Sequence, residues 1–489
     1  MIDVRLLGPA LGSWLAAFVL VATTGGAALG TAVLMVGLAA GTMRRRALRD
    51  ALALTLVAAA CTAAVVGVHL AAQEGGVVAG AAARGDPVHV VGRLRADPAV
   101  ATSPWGAATA RVRLHVTEVT AGPFASAVRQ GVSVGVLVRG DGAWGDLTYA
   151  SVVRASGTLV ARPAGGAERY ELLGASPPVV VEASPYGLAD AMRAGLVAAV
   201  ADRSAAARGL VPGVAVGDTS ALPDDVADAM RATGLTHLTA VSGAHVAIIA
   251  GMLLGVGAVL RLPRAARALL VGVVLGGFVL LVRPDPSVQR AAVMGGIALL
   301  GLVLGRRAAS VAALSTAVVV LVLLDPWLAR SYGFVLSVVA TGAIVLATPP
   351  AVRWLAQVVP RALAYAVVVP AVAQLACAPV LILLEPVLTP YAVLANVLVA
   401  PAVVPATIGG VLAAVVSPWS LPVARALAWI AALAAEWMAK VATVLADAPG
   451  AQIAWVPGTG GAALLAGATV VVIVAVRWCV APVPEASGT

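Results

Sequence analysis

Polar side chains that could do chemistry are concentrated in residues 233–245 of an otherwise apolar chain. This segment reads TGLTHLTAVSGAH and holds two histidines among several hydroxyl side chains. On a helix, Ser242 and His245 would be neighbours at positions i and i+3. Polar groups inside a membrane are costly, about 2.5–3.5 kcal/mol for an Arg at the centre of a span, so they mark water-filled paths, structural pairs or sites. We therefore predict a polar constriction or ligand site that includes His237, Ser242, Gly243 and His245.

Two other interpretations of this segment remain open. Ser and Gly are common where membrane helices pack, so the small residues could serve helix contact alone. Ser242 and His245 could instead act as a nucleophile and its base, although no oxyanion motif adjoins the hydroxyl. Two histidines with several hydroxyls in so short a segment favour a functional site over packing.

Other polar residues lie within or beside apolar runs further along the chain. Singly, such a residue more often makes a helix–helix hydrogen bond than a ligand contact. Together they would line a polar route through several helices. They are Arg283, Gln289, Arg290, Ser337, Gln374 and Asn396.

Metal, cofactor and nucleotide sites have no sequence signature in this chain. The three cysteines have no CxxC spacing, and the five histidines form no HxxxH, HxHxD or HExxH pattern, so neither a zinc site nor a disulfide framework is indicated. The Walker A pattern G-x-x-x-x-G-K-[ST] is also missing. We expect no metal, no cofactor and no enzymatic activity.

The composition of the 489 residues predicts the elements that must position these side chains. Hydrophobic residues make up 61% and charged residues 11%, against roughly 25% charged in a soluble domain. This excludes a soluble enzyme and predicts an α-helical polytopic membrane protein of about 11–12 transmembrane helices. The apolar run 11–42 predicts a helical pair broken near 24–26, and the prolines at 401 and 405 predict a broken or re-entrant segment within 391–416.

A charged, β-rich segment interrupts the apolar runs between about residues 73 and 185. Alternating strands are predicted near 88–94, 110–116, 132–138 and 151–160, with Gly, Pro and Asp between them. Five or six strands in this length suit a small OB-like β-barrel. The segment has ten Arg and nine acidic residues.

Basic loops predict the orientation of the chain. Cytoplasmic loops are rich in Lys and Arg, so the basic loop at 44–49 is expected inside and the β-rich segment outside. The predicted parts are N-terminal transmembrane helices 1–72, an extracytoplasmic OB-like domain 73–185, an amphipathic interfacial helix 186–209, a transmembrane domain 210–480 and a tail 481–489. The loop that carries Arg283 and Arg290 should lie outside, against the usual bias of basic residues toward the cytoplasm. This suggests that both arginines have a role other than setting the orientation of the chain.

Several motifs follow one another along the second half of the chain. Residues 229–246, AMRATGLTHLTAVSGAHV, fit the pattern A-x-R-x-T-G-L-x-H-L-x-A-[IV]-S-G-x-H-V. Residues 286–294, PSVQRAAVM, fit P-S-x-x-R-A-x-x-M. With further matches at 216–218, 324–326, 333–337, 374–376 and 395–398, the chain resembles the ComEC family of competence proteins, the DNA-uptake channels of transformable bacteria. The resemblance covers residues 210–415 closely.

The resemblance implies a multi-pass protein of the bacterial inner membrane that forms a channel and passes single-stranded DNA into the cytoplasm. The polar residues named above would then be DNA-path candidates, and Arg283 and Arg290 would attract phosphate. Trp105, Trp144 and Tyr149 would stack bases in the external domain, or else belong to its core. Many family members carry a C-terminal metallo-β-lactamase-like domain, which we expect this chain to lack.

The implied partners are single-stranded DNA and membrane lipid. A separate nuclease, a DNA receptor and a cytoplasmic ATP-driven translocase would complete the machinery, and a homo-oligomer is an open alternative. Two rival functions remain: a transporter for another anionic or amphipathic solute, and an intramembrane serine hydrolase built on Ser242 and His245.

Overall fold

The fold is described from a computed structural model of the chain. It covers residues 5–42, 49–74, 76–102, 108–121, 128–283, 286–303 and 310–480. Two compact units are formed, each from two stretches of chain. Unit 1 comprises Met1–Gly195 and Val246–Phe334, and unit 2 comprises Leu196–His245 and Val335–Thr489.

Helices dominate the part of the chain that the structure describes. In chain order they are α1 (Leu7–Leu20), α2 (Gly25–Thr42), α3 (Arg49–Glu74), α4 (Gly76–Arg84), α5 (Gly142–Gly145), α6 (Gly187–Ala199), α7 (Ala205–Val216), α8 (Asp224–Ala232), α9 (Gly243–Val259), α10 (Arg264–Val282), α11 (Pro286–Val303), α12 (Ser310–Leu324), α13 (Tyr332–Leu355), α14 (Arg361–Leu381), α15 (Ala392–Val416), α16 (Leu421–Ala446) and α17 (Gly458–Val480). Two 3₁₀ helices, Thr236–Leu238 and Pro326–Arg330, lie between them.

Seven of the described helices are long and apolar enough to cross a membrane, namely α2, α3, α10, α13, α14, α15 and α16. Five shorter apolar segments accompany them, at Leu7–Leu20, Ala205–Val216, Gly243–Val259, Val311–Leu324 and Gly458–Val471. A run of about 20 apolar residues spans the hydrocarbon of a bilayer. The fold therefore fits a multi-pass helical membrane protein.

The predicted helix boundaries meet three different outcomes. The break near 24–26 is confirmed, because α1 ends at Leu20 and α2 begins at Gly25. The predicted amphipathic helix 186–209 is instead two helices, since the Ser204 hydroxyl accepts the Ala207 N–H and so begins α7 anew. The predicted break within 391–416 is wrong: α15 runs unbroken through both prolines. Neighbouring helices allow proline within a membrane helix, and α15 packs tightly on α7, where Gly410 meets Ala215.

Among the described residues, seven strands form the β-rich part of unit 1. They are β1 (Pro87–Leu94), β2 (Ala99–Thr102), β3 (Ala108–Ala121), β4 (Val128–Gly140), β5 (Val152–Ala161), β6 (Glu168–Leu173) and β7 (Val179–Glu182). All four predicted strand regions are confirmed within this set. Alternate side chains of β1 are buried, so one face of the strand packs inward as the period-two pattern predicts.

The strand pairings run β1-β3-β4-β6-β5, and β5 pairs again with β1. The β4–β6 pairing is parallel, whereas the other pairings along this path are antiparallel. Strand β2 pairs with β3, and β7 pairs with β5. The strands enclose a core of small and branched residues around the fully buried Trp144. A separate pair, β8 (Val387–Leu388) and β9 (Ile453–Ala454), lies in unit 2.

Candidate functional site

The first part of the polar segment 233–245, here called the signature loop, ends helix α8. Gly234 has φ +68, the left-handed conformation that glycine adopts without penalty. Its N–H bonds the Arg231 carbonyl, and the N–H of Leu235 bonds the Met230 carbonyl, which together form a Schellman motif. Leu235 and Met230 are both fully buried. The Thr233 hydroxyl donates to the Ala229 carbonyl. The first three residues of the loop therefore stop the helix and turn the chain.

Gly234 also brings the loop against α14 and α15. A Cβ at this position would lie 2.8 Å from the Ala392 Cβ and 3.7 Å from Oε1 of Gln374. Nε2 of Gln374 donates to the Thr389 hydroxyl at 3.1 Å. One turn on from Ala392, Nδ2 of Asn396 donates to the Ala392 carbonyl at 2.8 Å. The structure therefore places Gln374 of α14 and Ala392 of α15 at the start of the signature loop, with Asn396 one turn further along α15.

The middle of the loop is a 3₁₀ turn, Thr236–Leu238, rather than a turn of α-helix. His237 lies in this turn, is exposed, and places Nδ1 3.2 Å from the Gly234 carbonyl oxygen. If the ring is neutral, Nδ1 donates this bond and Nε2 is left as an acceptor. Further along, the Thr239 carbonyl lies against α7 at Gly213, where a Cβ would clash with it. Only a glycine at position 213 lets the loop lie this close to α7.

Ser242 and His245 start helix α9 as a capping pair. Nδ1 of His245 accepts the backbone N–H of Ser242 at 2.9 Å and lies 2.9 Å from the Ser242 hydroxyl oxygen. This is one half of a capping box, in which the side chain of the third helical residue accepts the N–H of the capping residue; the N–H of His245 bonds the Ser242 backbone carbonyl. Because Nδ1 accepts, the proton of a neutral ring lies on Nε2. His245 is fully buried, and within the described ranges its Nε2 has no hydrogen-bond partner. A buried donor without a partner is costly.

The remaining predicted path residues of unit 2 lie at the starts of helices. Gly243 is the first residue of α9. Ser337 lies in the first half of α13, next to Leu336, whose carbonyl accepts from Sγ of Cys377 at 3.6 Å. That contact places α14 beside α13 at the level of Ser337, and Cys377 lies one helical turn after Gln374 on α14.

Three predicted path residues, Arg283, Gln289 and Arg290, belong to unit 1. The guanidinium of Arg283 bonds the carboxylates of Asp97 and Asp190, the latter at 2.7 Å. Arg290 and Gln289 lie on α11; Arg290 is buried, with its guanidinium 3.9 Å from where a Cβ of Gly333 would be.

The three aromatic candidates of the β-rich domain separate on burial. Trp105 lies outside the described residues. Trp144 is fully buried in the core and donates from Nε1 to the Ser176 carbonyl at 3.2 Å, so it has no free face for a base and is a core residue. Tyr149 is half-buried and stacks on Tyr186, with ring centroids 5.7 Å apart. Burial is also the main cause that raises the pKa of the Tyr149 phenol.

Several residues that complete these contacts have no recognisable signal in the sequence. Asp97, Asp190 and Thr389 are single polar residues without a motif. One sequence does not show that Arg283 pairs with Asp190, 93 positions away, or with Asp97, which is further still. Their roles follow from the contacts alone.

The long apolar helices and the seven-stranded β part together define a helical protein of the multi-pass membrane class. A family model described as Competence protein matches residues 214–481. Because this match covers more than half of the chain, the chain belongs to the ComEC family of competence proteins.

A curated relative is ComE operon protein 3 of Bacillus subtilis (strain 168). It is 32% identical over 174 residues, which are 36% of this chain and 22% of the relative. The match thus spans about a fifth of the length of that protein. No solved structure matches the chain.

Proposed function

We propose that this chain forms the channel that passes single-stranded DNA across the cytoplasmic membrane during natural transformation. The observation that carries the proposal is the competence family match over residues 214–481, which includes the whole signature loop. Family membership supports a role in DNA uptake, and the loop supplies a polar surface for the strand.

The chemistry of the signature loop suits the passage of a polyanion. A strand carries about one negative charge per nucleotide, and conduction requires binding weak enough to release it. Residues 233–245 contain no Arg, Lys, Asp or Glu. A neutral group such as the exposed His237 imidazole would hydrogen-bond phosphate or base edges without holding them as arginine does, while the buried His245 ring holds the start of α9 beside it.

We further propose that the β-rich domain is an OB-like barrel that receives DNA outside the membrane. The return of β5 to β1 and the parallel β4–β6 pairing support a five-stranded Greek-key barrel. Its exposed arginines are largely balanced, since Arg113 pairs with Glu168 and Arg139 with Glu171. Such a surface would guide DNA weakly, so a separate receptor would supply tight binding.

The channel is proposed to have no catalytic activity of its own. The 2.9 Å approach of the Ser242 hydroxyl to His245 favours the rival hydrolase. Yet Nδ1 also takes the Ser242 N–H, and within the described part of the chain no group orients the ring from Nε2, as a third residue does in a triad. A separate nuclease would degrade the other strand, and a cytoplasmic translocase would drive transport.

The test is uptake of labelled DNA by the native host, with internalised and surface-bound DNA measured separately. The variants are a gene deletion, His245→Ala and Gln374→Ala, each at confirmed membrane levels. Thr31→Ala is the control, because this exposed hydroxyl on α2 bonds only its own helix at the Ala27 carbonyl. We expect the deletion and both site variants to lose internalised DNA and keep surface-bound DNA. Normal uptake by the deletion would refute the proposal and favour a solute transporter.

A further inference from the structure

Arg283 lies at the C-terminal end of α10, at the centre of an ionic cluster that joins this helix to the β-rich domain. Its guanidinium bonds Asp97, in the loop between β1 and β2, and Asp190, on α6. It also lies over the Tyr149 ring, 5.8 Å from the centroid. All these residues belong to unit 1.

A second arginine completes the cluster. Arg193 on α6 reaches Asp97 at 3.5 Å and the Leu281 carbonyl, in the last turn of α10, at 3.3 Å. Asp97 in turn accepts the backbone N–H of Tyr149 at 3.2 Å. Asp97 is therefore the shared partner of two arginines and of the β-domain backbone.

The charges of the cluster balance. Two arginines face two carboxylates, and the side chains of Arg283 and Arg193 are 13% and 8% exposed. A phosphate would have to displace a carboxylate to reach either guanidinium. This arrangement suits a structural joint better than a binding surface for DNA.

The backbone conformation of Arg283 supports a role for its side chain. Arg283 has φ +70 and ψ 147, a region that residues with a Cβ rarely occupy and that glycine occupies freely. Glycine would suit this position if only the turn were needed. An arginine is held in a strained backbone because its guanidinium makes the contacts described above.

We propose that Arg283 is a positioning residue that fixes the β-rich domain on the end of α10, through Asp97 and Asp190, and that it does not bind DNA. In the proposed uptake function, the cluster sets the place where a DNA strand leaves the β-rich domain and enters the helical part of the protein. The proposed uptake function is needed only to interpret the uptake measurement that tests this inference. The joint itself is a property of the protein without DNA.

The test uses variants for which the two roles of Arg283 predict opposite results. Asp97→Asn with Asp190→Asn removes the carboxylates and frees the arginine. If Arg283 positions the domain, uptake falls as it does for Arg283→Lys, since a lysine ammonium lacks the planar fork that reaches both carboxylates while it stacks on a ring. If Arg283 binds phosphate, freeing its charge leaves uptake unchanged or raises it, and the lysine variant keeps activity.

Hydrogen–deuterium exchange of the full-length protein in lipid nanodiscs gives a readout that needs no DNA. We expect segments 95–99, 146–151 and 186–194 to exchange about tenfold faster in both variants. The two Asn substitutions leave largely buried arginines uncompensated, and the lysine loses the planar fork that makes the contacts of Arg283. Strands β3 and β4 should keep their protection, which shows that the domain stays folded.

The matched control is the exposed pair Arg129–Glu118 on the same domain, 75% and 26% exposed. Arg129→Lys and Glu118→Gln should change neither exchange nor uptake, because exposed pairs contribute little. Unchanged exchange in the three segments of the cluster variants would overturn the proposal. If the exchange effect occurs but a gene deletion takes up DNA normally, the joint stands and the uptake function fails.

Discussion

Gly234 offers a sharp test of how the signature loop is held against α14 and α15. Gly234→Ala should cost two separable amounts of free energy. The left-handed backbone at φ +68 costs a residue with a Cβ about 1–2 kcal/mol. The new Cβ, 2.8 Å from that of Ala392, forces a shift that adds about 1–3 kcal/mol.

Two control glycines of unit 2 separate these terms. Gly450 has nearly the same backbone, φ +73, but no atom lies within 4 Å of a Cβ built there. Gly450→Ala should therefore cost only the backbone term. Gly467, on α17, has a helical backbone and equally open space, so Gly467→Ala should be neutral or stabilising by up to about 1 kcal/mol.

The assay is denaturant unfolding of the purified variants in detergent micelles, together with DNA uptake. We expect the order of stability Gly467→Ala, Gly450→Ala, Gly234→Ala, with uptake lost only in the last. Equal losses of stability at positions 234 and 450 would refute the close approach of the loop to Ala392, and with it the grouping of Gln374 with the loop.

Three further outcomes are expected. Ser242→Ala should keep most uptake while His245→Ala loses it, because the backbone N–H of residue 242 still holds the His245 ring when the hydroxyl is gone. Equal and complete loss of uptake in both variants would instead indicate a nucleophile and its base. Trp144→Ala should destabilise the β-rich domain by about 3–5 kcal/mol, seen as faster hydrogen exchange throughout its strands, whereas a purely DNA-stacking residue would leave that exchange unchanged. Burial, aided by the charge of Arg95, lowers the pKa of His115 below 6.5. The unfolded state therefore binds more protons than the folded state, and the stability of the β-rich domain falls as pH drops below 6.5. Thermal unfolding at pH 7.5 and 5.5 should show a smaller pH effect in His115→Gln than in the wild type.

Local pattern was sufficient to predict most of the elements. Apolar runs predicted the helices, since a run of that length has few other stable arrangements in a bilayer, and alternation predicted strands β1, β3, β4 and β5. The motif order also predicted the family. The segment of the signature loop was identified correctly as polar and distinctive, but its conformation was not, because a helix end, a 3₁₀ turn and a capping pair can hold the same residues as one helix.

The roles of particular side chains were decided by tertiary contacts. Trp144 and Tyr149 are five positions apart and equally plausible as stacking residues in the sequence, yet the fold buries the first and leaves the second half-exposed. Arg283 reads as a free charge until Asp190, 93 positions away, and Asp97, still further, are seen against it.

The sequence by itself therefore determined the class, the elements and the family of this protein, because helix and strand formation depend on the residues of one segment. Tertiary structure alone decided which polar residues are buried, which are exposed and which pair with one another. Burial and charge pairing join distant segments, and a linear pattern holds no record of which segments meet.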